Sequence, residues 1–327
     1  MNQKDLDVKD KKILFELDKD SRIPLSVLSK KIGISKEVAF HRLNNLVKRG
    51  YISRFQAVIS TYRFGYQSYK IYLKLQNLTK EIRVQMQDFF MKNEMVYWIC
   101  NCQGKYDMIV AYWAKNIRDF GDFENEILNK FSNYIQERDI TITRKSTQYN
   151  RRWFYNDDSK LVETSFGEDL EEIKLDKIDI EILRNLADNA RIKIVDLANK
   201  LNISISTIKY RLKRLEKNKV ILGYKYALNS KLLNYEKCKA FIYFKNITDT
   251  KRKELINYCK SIPNVINIVL TIGSWDVEIG FEVKNFEEYY KIMSDIQEKY
   301  SDIVKSYESI LFSSEPKQVF MPGIKSI

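Results

Sequence analysis

The chain is written twice. Residues 6–14 read LDVKDKKIL and residues 175–183 read LDKIDIEIL, an offset of 169. The same offset carries Arg22 and Ile23 onto Arg191 and Ile192, Ile34 and Ser35 onto Ile203 and Ser204, and Arg42 and Leu43 onto Arg211 and Leu212. It also carries Tyr66 onto Tyr235, Gly104 onto Gly273 and Asp107 onto Asp276, with no insertion between. A repeat of this length is a whole module rather than a solenoid unit. Any fold must therefore be built for one half and then accommodate a second.

The 327 residues are 44% hydrophobic with only four prolines, enough to bury real cores. The formal net charge is +13, dispersed along the chain rather than held in one tail. That excess favours a polyanionic partner, nucleic acid first and an acidic membrane surface second. The start, MNQKDLDVKDKK, lacks the apolar segment of a signal peptide. No stretch approaches the roughly 18 apolar residues of a membrane span, so a cytoplasmic protein without a membrane partner is expected. Cys100 and Cys102 are two apart and fall on one face of a strand, without the spacing of zinc or redox pairs. Buried thiols are expected there. The single histidine, His41, argues against histidine-based metal or acid–base chemistry. No metal, cofactor or catalytic residue is expected.

Leu6, Ile13, Leu14 and Leu17 have helical spacing over residues 6–20, with Asp7 and Asp10 at the positive end of that helix. Pro24 suits the first turn of a second helix, which buries Leu25, Leu28 and Ile32 and stops at Gly33. Ser35 is a good N-cap for a third helix over 36–49 with Ala39, Leu43, Leu46 and Val47 inward. Tyr51 to Ser60 then alternates, as a short hairpin or wing would. The second copy predicts the same elements at 175–189, 193–201 and 205–218. Two helices joined by a tight turn of this kind form a helix-turn-helix.

The outward face of the third helix carries the chemistry. In the first copy it offers Lys36, Phe40, His41, Arg42, Asn44, Asn45 and Lys48. In the second it offers Ser206, Thr207, Lys209, Tyr210, Arg211, Lys213, Arg214 and Lys217, and residues 204–219 hold six basic side chains against one acidic. A helix fits the major groove, where Arg, Lys and Asn reach base edges or phosphates. His41 matches Tyr210, Asn44 matches Lys213 and Asn45 matches Arg214. The two helices are therefore expected to read different half-sites, the second holding phosphates more strongly.

Each half continues with strand, helix, two strands, helix and a final strand. In the first copy these are 68–75, 80–92, 96–102, 107–114, 117–131 and 135–144. In the second they are 237–244, 250–262, 265–271, 276–283, 286–300 and 303–312. The order βαββαβ predicts a ferredoxin-like sheet with helices on one face. Its other face must be covered, most economically by another such sheet.

A helix-turn-helix followed by this unit, with Gly-x-x-Asp between the middle strands, resembles the Lrp/AsnC (feast/famine) transcription regulators. The resemblance rests on LDVKDKKIL…SRIPLSVLSKKIGISKEVAFHRLNNLVKRGYI with GKYD, and on LDKIDIEIL…ARIKIVDLANKLNISISTIKYRLKRLEKNKVI with GSWD. It covers nearly all of both copies. Family members usually carry one unit and dimerise; this chain has two in tandem. The resemblance implies binding to double-stranded DNA by an internal pseudo-dimer, with homo-oligomers open. It also implies an effector site, often for an amino acid, near Gly104, Tyr106, Asp107, Gly273, Trp275 and Asp276. A tight turn accounts for the same Gly and Asp without any ligand.

The expected fold class is α+β, two copies of a winged helix-turn-helix plus a ferredoxin-like (RAM-type) module. The expected divisions are 1–61 and 62–146, a linker at 147–173, then 174–230 and 231–327. Within the linker Arg151, Arg152, Trp153, Phe154 and Tyr155 are too apolar for an inert tether; they stack on nucleic acid or, better, pack on protein. The tail SSEPKQVFMPG stands at the matching position in the second copy. Two other functions compete with DNA-binding regulation. Siroheme decarboxylases look similar in layout but need cationic and imidazole groups around a tetrapyrrole. A partner-binding protein with one degenerate DNA-binding head would explain the amide-rich first helix.

Overall fold

The computed structural model describes residues 6–154, 161–167 and 171–323. The first copy runs α1 (Val8–Lys19), α2 (Leu25–Ile32), α3 (Lys36–Lys48), β1 (Ile52–Ile59), β2 (Gln67–Leu75), α4 (Lys80–Lys92), β3 (Val96–Gly104), β4 (Met108–Ala114), α5 (Ile117–Phe131) and β5 (Ile135–Tyr149). A short strand, β6 (Glu163–Phe166), follows. The second copy runs α6 (Lys177–Asp188), α7 (Ile194–Leu201), α8 (Ile205–Lys217), β7 (Ile221–Leu228), β8 (Glu236–Phe244), α9 (Asp249–Ser261), β9 (Val265–Gly273), β10 (Val277–Val283), α10 (Phe286–Lys299) and β11 (Val304–Gln318). These elements gather into two compact units, and each unit draws on both copies.

The first unit holds the two helical heads, residues 1–59, 149–164 and 175–235. The strand expected to fold back as a hairpin does not do so. Instead β1 pairs antiparallel with β7, its counterpart in the other copy. The register places Gln56 opposite Lys225, a residue facing its own counterpart, so a pseudo-twofold axis passes through that pair. The bonds around it are reciprocal. Ser21 N donates to Tyr224 O at 2.9 Å, and Ala190 N donates to Phe55 O at 2.9 Å. The guanidinium of Arg22 lies over the Tyr224 ring and that of Arg191 over the Phe55 ring, each at 5.5 Å. The exchange has a packing reason. Tyr226 and Leu228 of β7 are buried in the core of the first head with Leu14, Leu17, Leu46 and Ile52.

Two local details differ from expectation. Pro24 is the N-cap of α2 rather than a first-turn residue, and Val47 faces solvent. The former linker residues pack on protein. Phe154 is buried in the first head's core, Trp153 stacks on Tyr235 at 3.7 Å, and Arg151 pairs with buried Asp18 at 2.7 Å. Tyr155 lies outside the described residues.

The second unit holds residues 60–148, 165–174 and 236–327. In each copy two helices cover one face of a four-stranded sheet. In the first copy Tyr69, Ile71, Leu73 and Leu75 of β2 pack with Met86 and Phe90 of α4 and Phe120, Phe123 and Ile127 of α5. Strands alternate their side chains, so Ser68, Lys70 and Tyr72 point to the other face.

That face is covered by closing the two sheets on each other. The final strands are longer than expected, 15 residues each. β5 pairs with β2 of its own copy through Ile135–Ile142, then with β9 of the other copy through Thr141–Gln148. β11 pairs with β8 through Val304–Leu311, then with β3 through Ile310–Gln318. The strand order β2-β4-β3-β11-β8-β10-β9-β5 returns to β2, so among the described residues the eight strands close into a ring. The tail SSEPKQVFMPG thus continues β11 across the first copy, and Phe320 and Met321 are buried.

The interior of the closed sheet is half aromatic and half ionic. Tyr72, Tyr106, Phe241 and Trp275 form a buried cluster, with Tyr72 edge-on to Trp275 at 4.5 Å. Beside it the carboxylate of Glu278 accepts from Lys239 at 2.6 Å, from Lys70 at 2.8 Å, from the Tyr72 hydroxyl and from Trp275 Nε1 at 3.4 Å. Lys70 and Lys239 are counterparts, but Glu278 has Ile109 as its counterpart. One acid from one copy therefore serves a lysine from each. Burial alone would raise the Glu278 carboxyl; the two ammonium groups outweigh it and hold it at about 2. Burial pulls Lys70 down to about 8 against the attraction of Glu278.

Removing one partner of a buried charge set leaves the others uncompensated, at a cost of about 3–5 kcal/mol. Glu278→Ala is expected to lose stability of that order in urea unfolding at neutral pH. The folded Glu278 carboxyl titrates below its free value of 4.5. Its contribution is therefore complete above that pH and drains away as pH falls toward about 2. Glu278→Gln should flatten this acid limb of the stability profile; an unchanged limb would assign it to other carboxylates.

Candidate nucleic-acid interface

Both third helices are built alike. Ser35 Oγ accepts from Val38 N at 3.2 Å and Ser204 Oγ accepts from Thr207 N at 3.1 Å, each satisfying an N-terminal donor. Gly33 and Asn202, both in the left-handed region, turn the chain between second and third helices. Ala39, Leu43 and Leu46, then Ile208, Leu212 and Leu215, face the cores.

The expected contact residues divide into two groups. Lys36, Phe40, His41, Asn44, Asn45 and Lys48 are exposed, as are Ser206, Lys209, Tyr210, Lys213 and Lys217. Tyr210 is 67% exposed and Phe40 51%, far beyond what a core role would leave. Thr207 is half-buried, its hydroxyl 2.8 Å from Ser204 Oγ.

The arginines are engaged elsewhere. Arg42 Nη1 donates to Asp7 and to Asp10, both at 2.8 Å. Arg211 Nη1 donates to Asp176 at 2.7 Å and to Asp179 at 2.8 Å, and Arg214 also pairs with Asp179. Asp7 and Asp176 are the N-caps of α1 and α6, and Asp179 closes a capping box with Asp176. Burial would raise the Asp176 carboxyl, but Arg211 and the Asp179 backbone N–H hold it low. Arg42 and Arg211 clamp the third helix to the start of the first in the same way in both copies, and Arg214, which Asn45 replaces in the first copy, adds a further pair in the second. Sequence reasoning missed this because an arginine on a recognition helix looks the same whichever way it reaches. The signal was the repeated Asp-x-x-Asp at residues 7–10 and 176–179. It also missed Glu37, which lies opposite the buried Ala39, Leu43 and Leu46 and beside His41 and Asn44 on the exposed stripe.

The Gly-x-x-Asp turns are woven into the second unit. Gly104 has φ +120° and Gly273 φ +143°. A Cβ on either would sit inside contact distance of a backbone carbonyl on the final strand of the other copy, Ser309 O for Gly104 and Ile140 O for Gly273. Asp107 accepts from Leu75 N at 2.8 Å and Asp276 from Phe244 N at 2.8 Å. Tyr106 and Trp275 are buried in the aromatic interior, and the Tyr106 hydroxyl donates to Asp139. Of the six, Tyr106 and Trp275 are closed off from solvent, whereas Gly104 and Gly273 are exposed.

A family model described as winged helix-turn-helix DNA-binding matches residues 6–53 and again 175–221. An uncharacterised HTH-type transcriptional regulator of Pyrococcus horikoshii is 34% identical over 123 residues, 37% of this chain and 81% of that protein. The leucine-responsive regulatory protein of Haemophilus influenzae is 32% identical over 124 residues, 36% of this chain and 72% of that protein. The chain belongs to the Lrp/AsnC family of helix-turn-helix transcriptional regulators. Each aligned stretch is shorter than one copy, so this Lrp/AsnC member carries twice what such relatives carry. Among solved structures, the siroheme decarboxylase NirDL has a TM-score of 0.65 with 14% identity, covering 97% of this chain and 94% of that one. That likeness is one of fold.

Part-buried, charge-assisted bonds contribute on the order of 1.5–3 kcal/mol. Arg211→Leu should therefore lower the unfolding midpoint, whereas Lys209→Ala should leave stability within about 0.5 kcal/mol; equal losses would remove the distinction between clamp and contact residues. Gly273→Ala should cost at least about 1–3 kcal/mol in the same measurement, because both its φ and its neighbours exclude a Cβ.

Proposed function

We propose that this Lrp/AsnC regulator binds double-stranded DNA as a single chain, its two third helices entering successive major grooves of one operator. The observation that carries this reading is the pair of exposed polar stripes on α3 and α8, belonging to heads joined about a pseudo-twofold axis by the β1–β7 ribbon. Two-fold heads of this kind address half-sites about one helical turn apart, roughly 34 Å. The net charge of +13 supports it further. The contact groups proposed are Lys36, Phe40, His41, Asn44, Asn45 and Lys48 with Ser206, Lys209, Tyr210, Lys213 and Lys217. Thr207 acts at the helix start, and Arg42, Arg211 and Arg214 act by positioning. A small effector, an amino acid in the first instance, is proposed to act on the paired modules near the Gly-x-x-Asp turns and to shift the population of DNA-competent states.

The reading assigns no catalysis to the chain. Supporting this, the interior of the closed sheet is occupied by Tyr72, Tyr106, Phe241, Trp275 and the Glu278 ion set, and His41 lies on the exposed face of α3. The fold likeness to a siroheme decarboxylase makes the opposite outcome worth measuring directly: a spectral change and carbon dioxide release on incubation with siroheme would establish an enzyme.

Fluorescence polarisation with mixed-sequence duplex at ~50 mM salt should show binding, and log affinity should fall linearly with log salt. Absence of binding under these conditions would refute DNA recognition.

A further inference from the structure

Helical geometry picks out the residues diametrically opposite the buried positions of each third helix. In α3 these are Glu37, His41, Asn44 and Lys48, with Lys36, Phe40 and Val47 along one flank, all exposed. In α8 they are Ser206, Tyr210, Lys213 and Lys217, with Lys209 and Glu216 on the matching flank, also exposed. The scaffolds beneath are equivalent, with the same cap, the same inward positions and the same arginine clamp. Differences between the stripes are therefore differences in what the two heads touch.

On balance those differences add positive charge to the second stripe, although Lys36 becomes Ile205 and Val47 becomes Glu216. Glu37 becomes Ser206, Phe40 becomes Lys209 and Asn44 becomes Lys213. With the flanks included, the first stripe carries Glu37 against Lys36 and Lys48; the second carries Glu216 against Lys209, Lys213 and Lys217. The clamp makes this imbalance count. With Arg42 held by Asp7 and Asp10, the first head is left with Lys36 and Lys48 on this helix to offer phosphates, against three lysines in the second. Between them it presents an amide, an imidazole and an aromatic ring, with Phe40 and His41 edge-to-face at 5.9 Å.

We propose that the operator is read asymmetrically: the first head selects an A·T-rich half-site through Asn44 and Phe40, and the second head is an electrostatic anchor working through Lys209, Lys213 and Lys217. The chemistry follows from groove edges. An asparagine amide pairs with N6 and N7 of adenine, and an apolar side chain packs on the C5-methyl of thymine. Lysines opposite phosphates displace counterions and bind with little regard to sequence. This inference rests on the DNA-binding reading above and narrows it.

The test uses the full chain and duplexes enriched by it from a random library. The expected product has one constrained A·T-rich half and one weakly constrained half. Phe40→Ala with Asn44→Ala should flatten the constrained half and weaken its binding on the order of tenfold, leaving the salt slope unchanged. Lys209→Ala with Lys213→Ala should keep the sequence preference and reduce the slope by about 1.8, at roughly 0.9 per phosphate. Replacing thymine by deoxyuridine in the constrained half removes only the methyl groups. It should weaken the parent severalfold and leave the Phe40 variant unaffected. All four side chains are exposed, and unchanged thermal unfolding would verify that the variants stay folded. A palindromic product overturns the asymmetry. So does an equal slope change from both variants, or indifference to deoxyuridine. Failure to enrich any duplex is a different result, since it removes the DNA-binding reading itself.

Discussion

A four-stranded sheet with helices on one face has an uncovered second face, and that constraint organises the larger unit of this protein. Tyr72, Phe241, Ile109 and Ile310 cannot be left in water without losing about 25 cal/mol for each Å² of apolar surface. Each module resolves this by sending its last strand across to the other. Because β5 and β11 hydrogen-bond first within their own copy and then across, the closure is made by backbone as well as by side chains. Closing the sheet also seals a small set of charges inside. Glu278, Lys70 and Lys239 are tolerable there only because each satisfies another.

The heads solve a related problem by exchange. A single strand after the third helix has no partner within its own copy. Pairing β1 with β7 gives both a partner and places Tyr226 and Leu228 in the first head's core. Neither copy is thus a self-contained bead. A division drawn in series along the chain, with a linker at 147–173, misses that residues 145–149 extend β5 and that Trp153 and Phe154 are packed.

Much of the rest was legible. The period of 169 and the helical and strand periodicities led to every α-helix and to the βαββαβ order. Local hydrophobic pattern could do that because those elements answer to their own sequence. Strand partners across copies do not. Nothing in Tyr51–Ser60 distinguishes a hairpin from a strand shared with its twin, since the alternation is the same. The polar interior did leave a trace. Lys70 in SYKIYLKL, Lys239 in KCKAFIYF and Glu278 in VEIGFEV are charges in the middle of largely apolar strands, and a strand exposed on one face would not need its charges to match. At the interface, side-chain type identified the exposed stripes. It could not say that Arg42 and Arg211 turn back toward aspartates 35 residues earlier, because direction is a tertiary property.

Covalent fusion explains why the asymmetries can exist at all. In a dimer of identical subunits any substitution appears on both sides of the axis. Here Glu278 stands opposite Ile109, and Lys213 opposite Asn44, each changed once. The interior charges also discriminate between partners. Were two first-copy modules from different chains to pair, they would bury two Lys70 ammonium groups with isoleucine where the carboxylate stands. Each unmatched ion in such an interior costs several kcal/mol. A second-copy module supplies the missing acid, so the first copy is satisfied by the second and not by itself. The single glutamate that stabilises the closed sheet therefore also disfavours its closure by two first-copy modules. Pairing of unlike modules keeps two unlike third helices together in one molecule.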